Sequence, residues 1–270
     1  MMIKGYPLGI FWKSVPAVLL LIFLAPLGFV FSSLFGEFGD NWNHLINYVL
    51  PNYVFNSIYL VLGVSALSLV LGVGTAWFIT NYDFSLRGWF EWAIILPLAV
   101  PPYILAYTFT GLFDSYGSAN DLIRIIFNLE NNFVFFPNVR NIYGAVVVFS
   151  FTLYPYVYLT TRMAFLNQSR SLMEAGKLLG LNNQSLFFKL AIPMVRPAII
   201  AGLALVIMET LSDFGAVEHF AVQTFTTGIF RTWFGMYDLN TAMQLSSMLL
   251  IFVTFFIFLE RHERTKMSFS

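Results

Sequence analysis

Residues 53–80 read YVFNSIYLVLGVSALSLVLGVGTAWFIT, a run with no charged side chain. A helix needs about 20 consecutive apolar residues to cross the hydrocarbon of a bilayer. This run is therefore a membrane span. Five further runs of similar character lie at about 15–35, 89–113, 142–163, 196–215 and 241–259. In lipid every backbone N–H and C=O must be satisfied within the segment, which for single apolar runs means a helix. The fold class that follows is all-α, a polytopic membrane protein with about six transmembrane helices.

Composition agrees. The chain is 58% hydrophobic and only 10% charged, with a mean hydropathy of +0.74. Soluble domains average about 45–50% apolar and about 25% charged residues, so this chain could not cover its surface in water. A formal net charge of zero gives no footprint for nucleic acid. The absence of cysteine excludes disulfides, thiolate metal sites and cysteine catalysis. Gly72, Gly74, Pro26, Pro97, Pro101, Pro102 and Pro155 fall inside the runs, where neighbouring helices can re-satisfy freed backbone groups. The stretch from Pro97 to Pro102 should kink the third span.

Charge sets the orientation. With six spans and both ends on one side, that side receives Lys4, Lys13, Arg87, Arg162, Arg170, Lys177, Lys189, Arg196, Arg261, Arg264 and Lys266. The other receives Arg124, Arg140 and Arg231. Lys and Arg accumulate in cytoplasmic loops, so both termini are expected in the cytoplasm. Lys4 and Lys13 ahead of the first run also fit a signal peptide. The run is long for that, with a weak small-residue pattern near 31–34, and an uncleaved helix is expected. The organisation reads as a first helix and outer loop (1–52), a membrane domain (53–260) and a tail (261–270).

Between the fourth and fifth spans, residues 169–197 should form two short helices. Ser171 followed by Glu174 fits a capping box. Leu172, Ala175, Gly176 and Leu179 recur at helical spacing as one apolar face. Gly180 accepts the left-handed conformation of a helix end. Asn182 or Asn183 caps the second helix, and Pro193 ends it. Such a segment could lie on the bilayer as an amphipathic loop. It could equally dock on a partner, because Ala175 and Gly176 let another surface approach the backbone.

The spacing of this loop resembles a known pattern. Glu174-Ala175-Gly176, three residues, Gly180, nine residues, then Leu190-Ala191-Ile192-Pro193 is similar to the EAA loop of binding-protein-dependent ABC permeases of the MetI-like type. That pattern is Glu-Ala-Ala, three residues, Gly, nine residues, Ile-x-Leu-Pro. Gly176, Leu190 and Ile192 are mild departures. The resemblance implies a coupling helix that inserts into a cytoplasmic ABC ATPase, with Glu174, Ala175, Gly176 and Gly180 in contact and Leu190, Ile192 and Pro193 completing the motif. No G-x-x-x-x-G-K-[ST] loop occurs in the chain. ATP and Mg2+ therefore belong to that partner, and the chain itself binds no cofactor and is not an enzyme.

The runs LPLAVPPYILAY at 96–107, DFGAV at 213–217 and TTGIFRTW at 226–233 resemble ferric-iron permeases, with thiamine, phosphonate and polyamine permeases as the alternatives. The resemblance implies a periplasmic binding protein docking on outer loops that include 113–141. It also implies a second permease half, as homodimer, heterodimer or fused C-terminal half, in the bacterial inner membrane.

Independently, Glu209 and Asp213 stand one turn apart in the fifth span. Intramembrane carboxylates are costly and face a bundle interior or a water-filled cavity. They are candidate pathway residues for a cation, with no stable metal site. The other reading has Asp213 capping a broken helix and Glu209 bonding a neighbouring span. His44, His219 and His262 lack metal-ligand spacing. Glu218 and His219 read as an outer-loop pair, solvated or docking. An ion-coupled secondary transporter would leave the EAA spacing unexplained. An intramembrane enzyme would need a motif such as H-E-x-x-H or G-x-S-x-G, and neither occurs.

Overall fold

The computed structural model describes residues 10–39, 41–130, 132–136, 138–168 and 170–267. Among these residues there is helix and no strand. Helix α1 (Ile10–Ser32) ends in a tight turn. Helix α2 (Asn41–His44) runs through a wide π turn (Leu45–Val49) into α3 (Leu50–Asn81), so much of the expected outer loop is helical. Helix α4 (Arg87–Ala93) and a 3-10 turn (Leu96–Ala99) precede α5 (Pro102–Phe113) and α6 (Ser118–Phe127). Then come α7 (Ile142–Leu166), α8 (Arg170–Leu178) and α9 (Asn183–Leu186). Another π turn (Phe187–Ala191) leads into α10 (Ile192–Ser212). Helices α11 (Gly215–His219), α12 (Phe225–Phe230) and α13 (Leu239–Met267) complete the chain.

Four stretches are long and apolar enough to cross a membrane: Ser14–Phe35, Asn41–Asn81, Ile142–Leu166 and Asn183–Ser212. Within α13, Leu239–Phe255 is a shorter apolar stretch at the expected sixth span. The third span departs from expectation. It is broken rather than kinked: Arg87–Ala99 and Pro102–Phe127 meet at 99°. Val100 and Pro101 are both extended (ψ 121° and 141°), because a residue before proline is pushed out of the helical region. Pro97, Pro101 and Pro102 also supply no N–H to continue the ladder.

Helix α7 is the central post, packed between α3 and α10. The side of α3 that meets it is a helical stripe including Leu60, Val64, Ser68, Gly72, Ala76 and Ile79, all buried. The opposite side, with Phe55, Leu62 and Val70, is about two-thirds exposed, as lipid-facing surface should be. Small residues set the crossings. A Cβ on Gly72 would lie 2.6 Å from Val157 Cβ, and one on Gly202 would lie 2.8 Å from Val157 Cα. Both neighbours thus close on the same residue of α7, in the manner of small-residue packing between membrane helices.

Polar ties fasten the remaining pieces. Arg162 on α7 pairs with Glu91 on α4 at 2.9 Å, and Arg87 bridges Glu91 (3.4 Å) and Asp83 (2.6 Å). Tyr154 donates its hydroxyl to the Ile94 carbonyl at 3.0 Å. The broken span is thereby anchored on α7. Gln244 of α13, fully buried, receives the Trp42 indole N–H and donates to the Ser33 carbonyl. That bond holds the end of α1, whose flanks are otherwise largely exposed.

Candidate functional site

Helices α8 and α9 form the loop singled out above. Gly180 (φ +82°) ends the first helical segment in the left-handed conformation, and Asn182 caps α9 by accepting the Ser185 N–H at 2.8 Å. Both match expectation. The capping role of Ser171 rests on a side chain outside those described, and α8 already contains Ser171 as its second residue. Pro193 does not end the second helix. It sits in the first turn of α10, and the run 183–212 is continuous. The π turn just before it, in which the Ile192 N–H reaches the Phe187 carbonyl, lets the helix absorb the missing donor.

The apolar face of α8 also differs from expectation. Gly176 is buried, and a Cβ there would meet Leu186 Cδ2 at 2.6 Å and Leu190 Cδ1 at 2.8 Å. Ala175 and Leu179, expected to share that face, are exposed, Leu179 at 83% and its neighbour Leu178 at 89%. Glu174 is exposed as well. Beneath α8 lies a polar cavity of about 380 Å³, lined by Asn81, Asp83, Arg87, Glu174 and Lys177 among others.

Leu186 and Ala191 are buried in the bundle, and Leu190, Ile192 and Pro193 are half-buried. Phe187 and Phe165 both pack against Trp77, with ring centroids 5.0 and 5.4 Å away. Gln168 donates to the Ala191 carbonyl at 3.2 Å. The second half of the loop is thus welded to α3 and α7 and continues into α10. The first half rests on it through Gly176. Leu186 and Leu190 are the contacts that join α8 to the start of α10.

On α10, Leu205, Met208, Glu209 and Ser212 form one exposed stripe. The Glu209 side chain makes no hydrogen bond or ion pair among the described residues. Asp213 follows the last turn and accepts the Ala216 N–H at 2.8 Å, with Val217 N–H at 3.4 Å. It caps α11, as the second sequence reading held. Glu209 does not bond a neighbouring span, against that same reading. A continuous face on α7 and α10 (Leu159, Thr160, Met163, Pro197, Ala201) bounds a shallow groove of about 590 Å³ below this stripe.

Glu218 and His219 are not a pair. Glu218 meets Arg231 at 3.3 Å. His219 bonds the Thr110 hydroxyl at 2.8 Å and stacks on Tyr107 at 4.4 Å, joining α11 to α5. Burial and the charge of Arg140 hold its imidazole below the usual histidine range. Among the described residues no cluster of three or more His, Asp or Glu could hold a metal.

A family model described as "Binding-protein-dependent transport system inner membrane component" matches residues 68–264. The chain is 27% identical over 213 residues to the Fe(3+)-transport system permease protein FbpB 2 of Haemophilus influenzae, covering 79% of this chain and 38% of that one. It is 28% identical over 152 residues to the sulfate transport system permease protein CysT of Escherichia coli (56% and 52% covered). It is 27% identical over 153 residues to the molybdenum transport system permease protein ModB of H. influenzae (57% and 64% covered). The chain therefore spans between 38% and 64% of the length of these relatives. A crystal structure of a bacterial ABC transporter that imports the acidic polysaccharide alginate shares the fold, with a TM-score of 0.69 at 17% identity over 93% of this chain and 94% of that one. With its all-helical architecture and a family match over most of its length, the chain belongs to the binding-protein-dependent transport system inner membrane components, with the MetI-like permease fold.

Proposed function

We propose that this chain is the membrane-spanning permease subunit of an ATP-driven importer, and that its cargo is ferric iron. The observation that carries the permease reading is α8. It turns Glu174, Ala175, Leu178 and Leu179 outward and rests through Gly176 on the helix that continues into α10. Exposed leucines flanked by a charge suit the groove of a cytoplasmic ABC ATPase, which would bind the ATP and Mg2+ that this chain lacks a phosphate loop to hold. ATPase closure would then push α10 as a rigid rod. Both termini and α8 lie on the cytoplasmic side in this reading, and a periplasmic binding protein delivers cargo at the other face.

The uncovered stripe of α10 supports a second permease half. A carboxylate facing lipid is costly, so Glu209 calls for a partner surface or a water-filled path between halves. Relatives named for iron, sulfate and molybdenum differ in cargo charge. Glu209, with the half-buried Asp213 one turn on, favours a hard cation over a tetrahedral oxyanion, which two carboxylates would repel.

The test is uptake of labelled ferric iron, sulfate and molybdate in cells with and without this chain, its ATPase and binding protein being present. Chain-dependent, ATP-dependent iron uptake is expected. Uptake of an oxyanion instead would overturn the cargo and leave the permease reading intact.

A further inference from the structure

Helix α6 is inside out for a segment surrounded by water. Its polar side is turned inward. Asn120 is 1% exposed, and its amide donates to the carbonyls of Asp114 (3.0 Å) and Phe136 (3.2 Å) while accepting the N–H groups of Phe135 and Phe136 at 3.0 Å. The Arg124 side chain, only 11% exposed, donates to the carbonyls of Phe133 (2.8 Å) and Ser115 (3.1 Å) and pairs with Asp121. The opposite face presents Leu122, Ile125 and Ile126, exposed at 58%, 75% and 70%. These three recur at helical spacing, so they form one stripe.

A hydrogen-bond network this complete fixes which face looks out. Rotating α6 to hide the isoleucines would strand the Asn120 amide and the Arg124 guanidinium without partners. The apolar face is therefore held outward, and the medium it meets must be apolar too.

The position supplies that medium. Only residues 114–117 separate α6 from α5, whose stretch belongs to the broken membrane span. Four extended residues reach at most about 14 Å, so α6 starts at the membrane boundary. Helix α7, with 25 residues, separates this loop from α8 and is about 37 Å long. The loop thus lies at the face opposite α8. Tyr116, 91% exposed in the turn before α6, is of the type enriched at membrane–water interfaces.

We infer that α6 is an interfacial anchor, lying in the lipid surface of the leaflet opposite the coupling loop with Leu122, Ile125 and Ile126 sunk among acyl chains. It holds the outer end of the broken span in place, and it removes this face from the surface open to a soluble binding protein.

The chain has no cysteine, so single labels need no background removal. Spin labels at Ile125→Cys and Ile126→Cys, in the full chain reconstituted in phosphatidylethanolamine–phosphatidylglycerol nanodiscs, are tested for collision with oxygen and with a water-soluble nickel chelate. A label at Glu130→Cys serves as the exposed reference. The expected oxygen-to-nickel ratio at 125 and 126 is several-fold above that at 130. A ratio equal to the reference would overturn the anchor. So would nickel access that disappears on adding the binding protein, which would assign the face to docking. As an independent readout, a bimane fluorophore on Leu122→Cys should be quenched by a lipid carrying a nitroxide on its acyl chain, and unquenched emission would count equally against the anchor.

Discussion

A Cβ on Gly176 would press only on the ends of two flexible leucines, Leu186 and Leu190. Both contacts, at 2.6 and 2.8 Å, are with the far ends of flexible side chains, which can swing aside to admit a methyl group. Gly176→Ala should therefore keep co-purification with the ATPase and transport close to wild type. Gly176→Leu overpacks the same contact, a change of about 1–3 kcal/mol, and should lift α8 and lower both. Equal behaviour of the two variants would refute the seating of α8 through Gly176. Asp238 offers a different residue-scale test. Burial alone would raise its carboxyl, but hydrogen bonds from Thr241 N–H (3.0 Å) and from the Asn41 amide (2.8 Å) and Thr241 hydroxyl (2.7 Å) outweigh burial and hold it below the usual carboxylate range. A depressed carboxyl contributes stability that is full above its unfolded value, about 3.9, and is lost as pH falls through the folded one. Detergent-solubilised chain should lose thermal stability in that acid window, and Asp238→Asn should lose less. At this scale the sequence could be read for backbone roles. Gly180 and Asn182 stand where a helix end and a cap require them, because those preferences are local. The orientation of Leu179 was not readable, because it depends on where Gly176 finds its packing partner.

Among the elements, α10 is the one on which the proposed coupling and cargo roles would meet: one end continues the α9 weld, and the other presents Glu209. The expected pathway pair has unequal geometry. Glu209 stands on the uncovered stripe, while Asp213 is engaged with the first N–H groups of α11. A Glu209→Gln, Asp213→Asn double variant should fold, because residue 209 is exposed and Asn is as good a helix cap as Asp. It should still assemble with the ATPase, and cargo uptake should fall. Wild-type uptake would remove both carboxylates from the path. Comparing the single variants would separate Glu209, expected to carry the larger loss, from Asp213. The broken third span and the continuous 183–212 rod are the elements the sequence described least well, and for one physical reason. Proline breaks a helix or is absorbed by it according to the turn that precedes it. Val100 and Pro101 extend and the chain turns by 99°, whereas the π turn before Pro193 carries the helix through.

For the whole molecule, the placement of the long apolar helices followed from run lengths, but which face of each looks inward did not. A span apolar all round has no amphipathic stripe to reveal its buried side. The partners of α7 are instead decided by small residues, and these are found only once the helices are docked. Gly72 and Gly74 make the point on a single helix. Both are glycines in α3, two positions apart, and the sequence treats them alike. In the fold, a Cβ on Gly72 lies 2.6 Å from Val157 Cβ and 2.9 Å from the Tyr154 carbonyl, whereas one on Gly74 meets nothing within 4 Å. The Tyr154 carbonyl belongs to the α7 backbone and cannot rotate away, so relief requires the helices to separate. Gly72→Val should cost about 1–3 kcal/mol or more by overpacking and lower the melting temperature of the purified chain. Gly74→Val, which adds the same atoms and the same change in helix preference, should leave it nearly unchanged. Because Gly202 closes on the same Val157 from α10, loosening the α3 crossing also loosens the seat of the rod on which α8 rests. Gly72→Val should therefore reduce transport further than its loss of folded protein accounts for. Matched melting temperatures for the two variants would mean that α7 is not held by these glycine crossings.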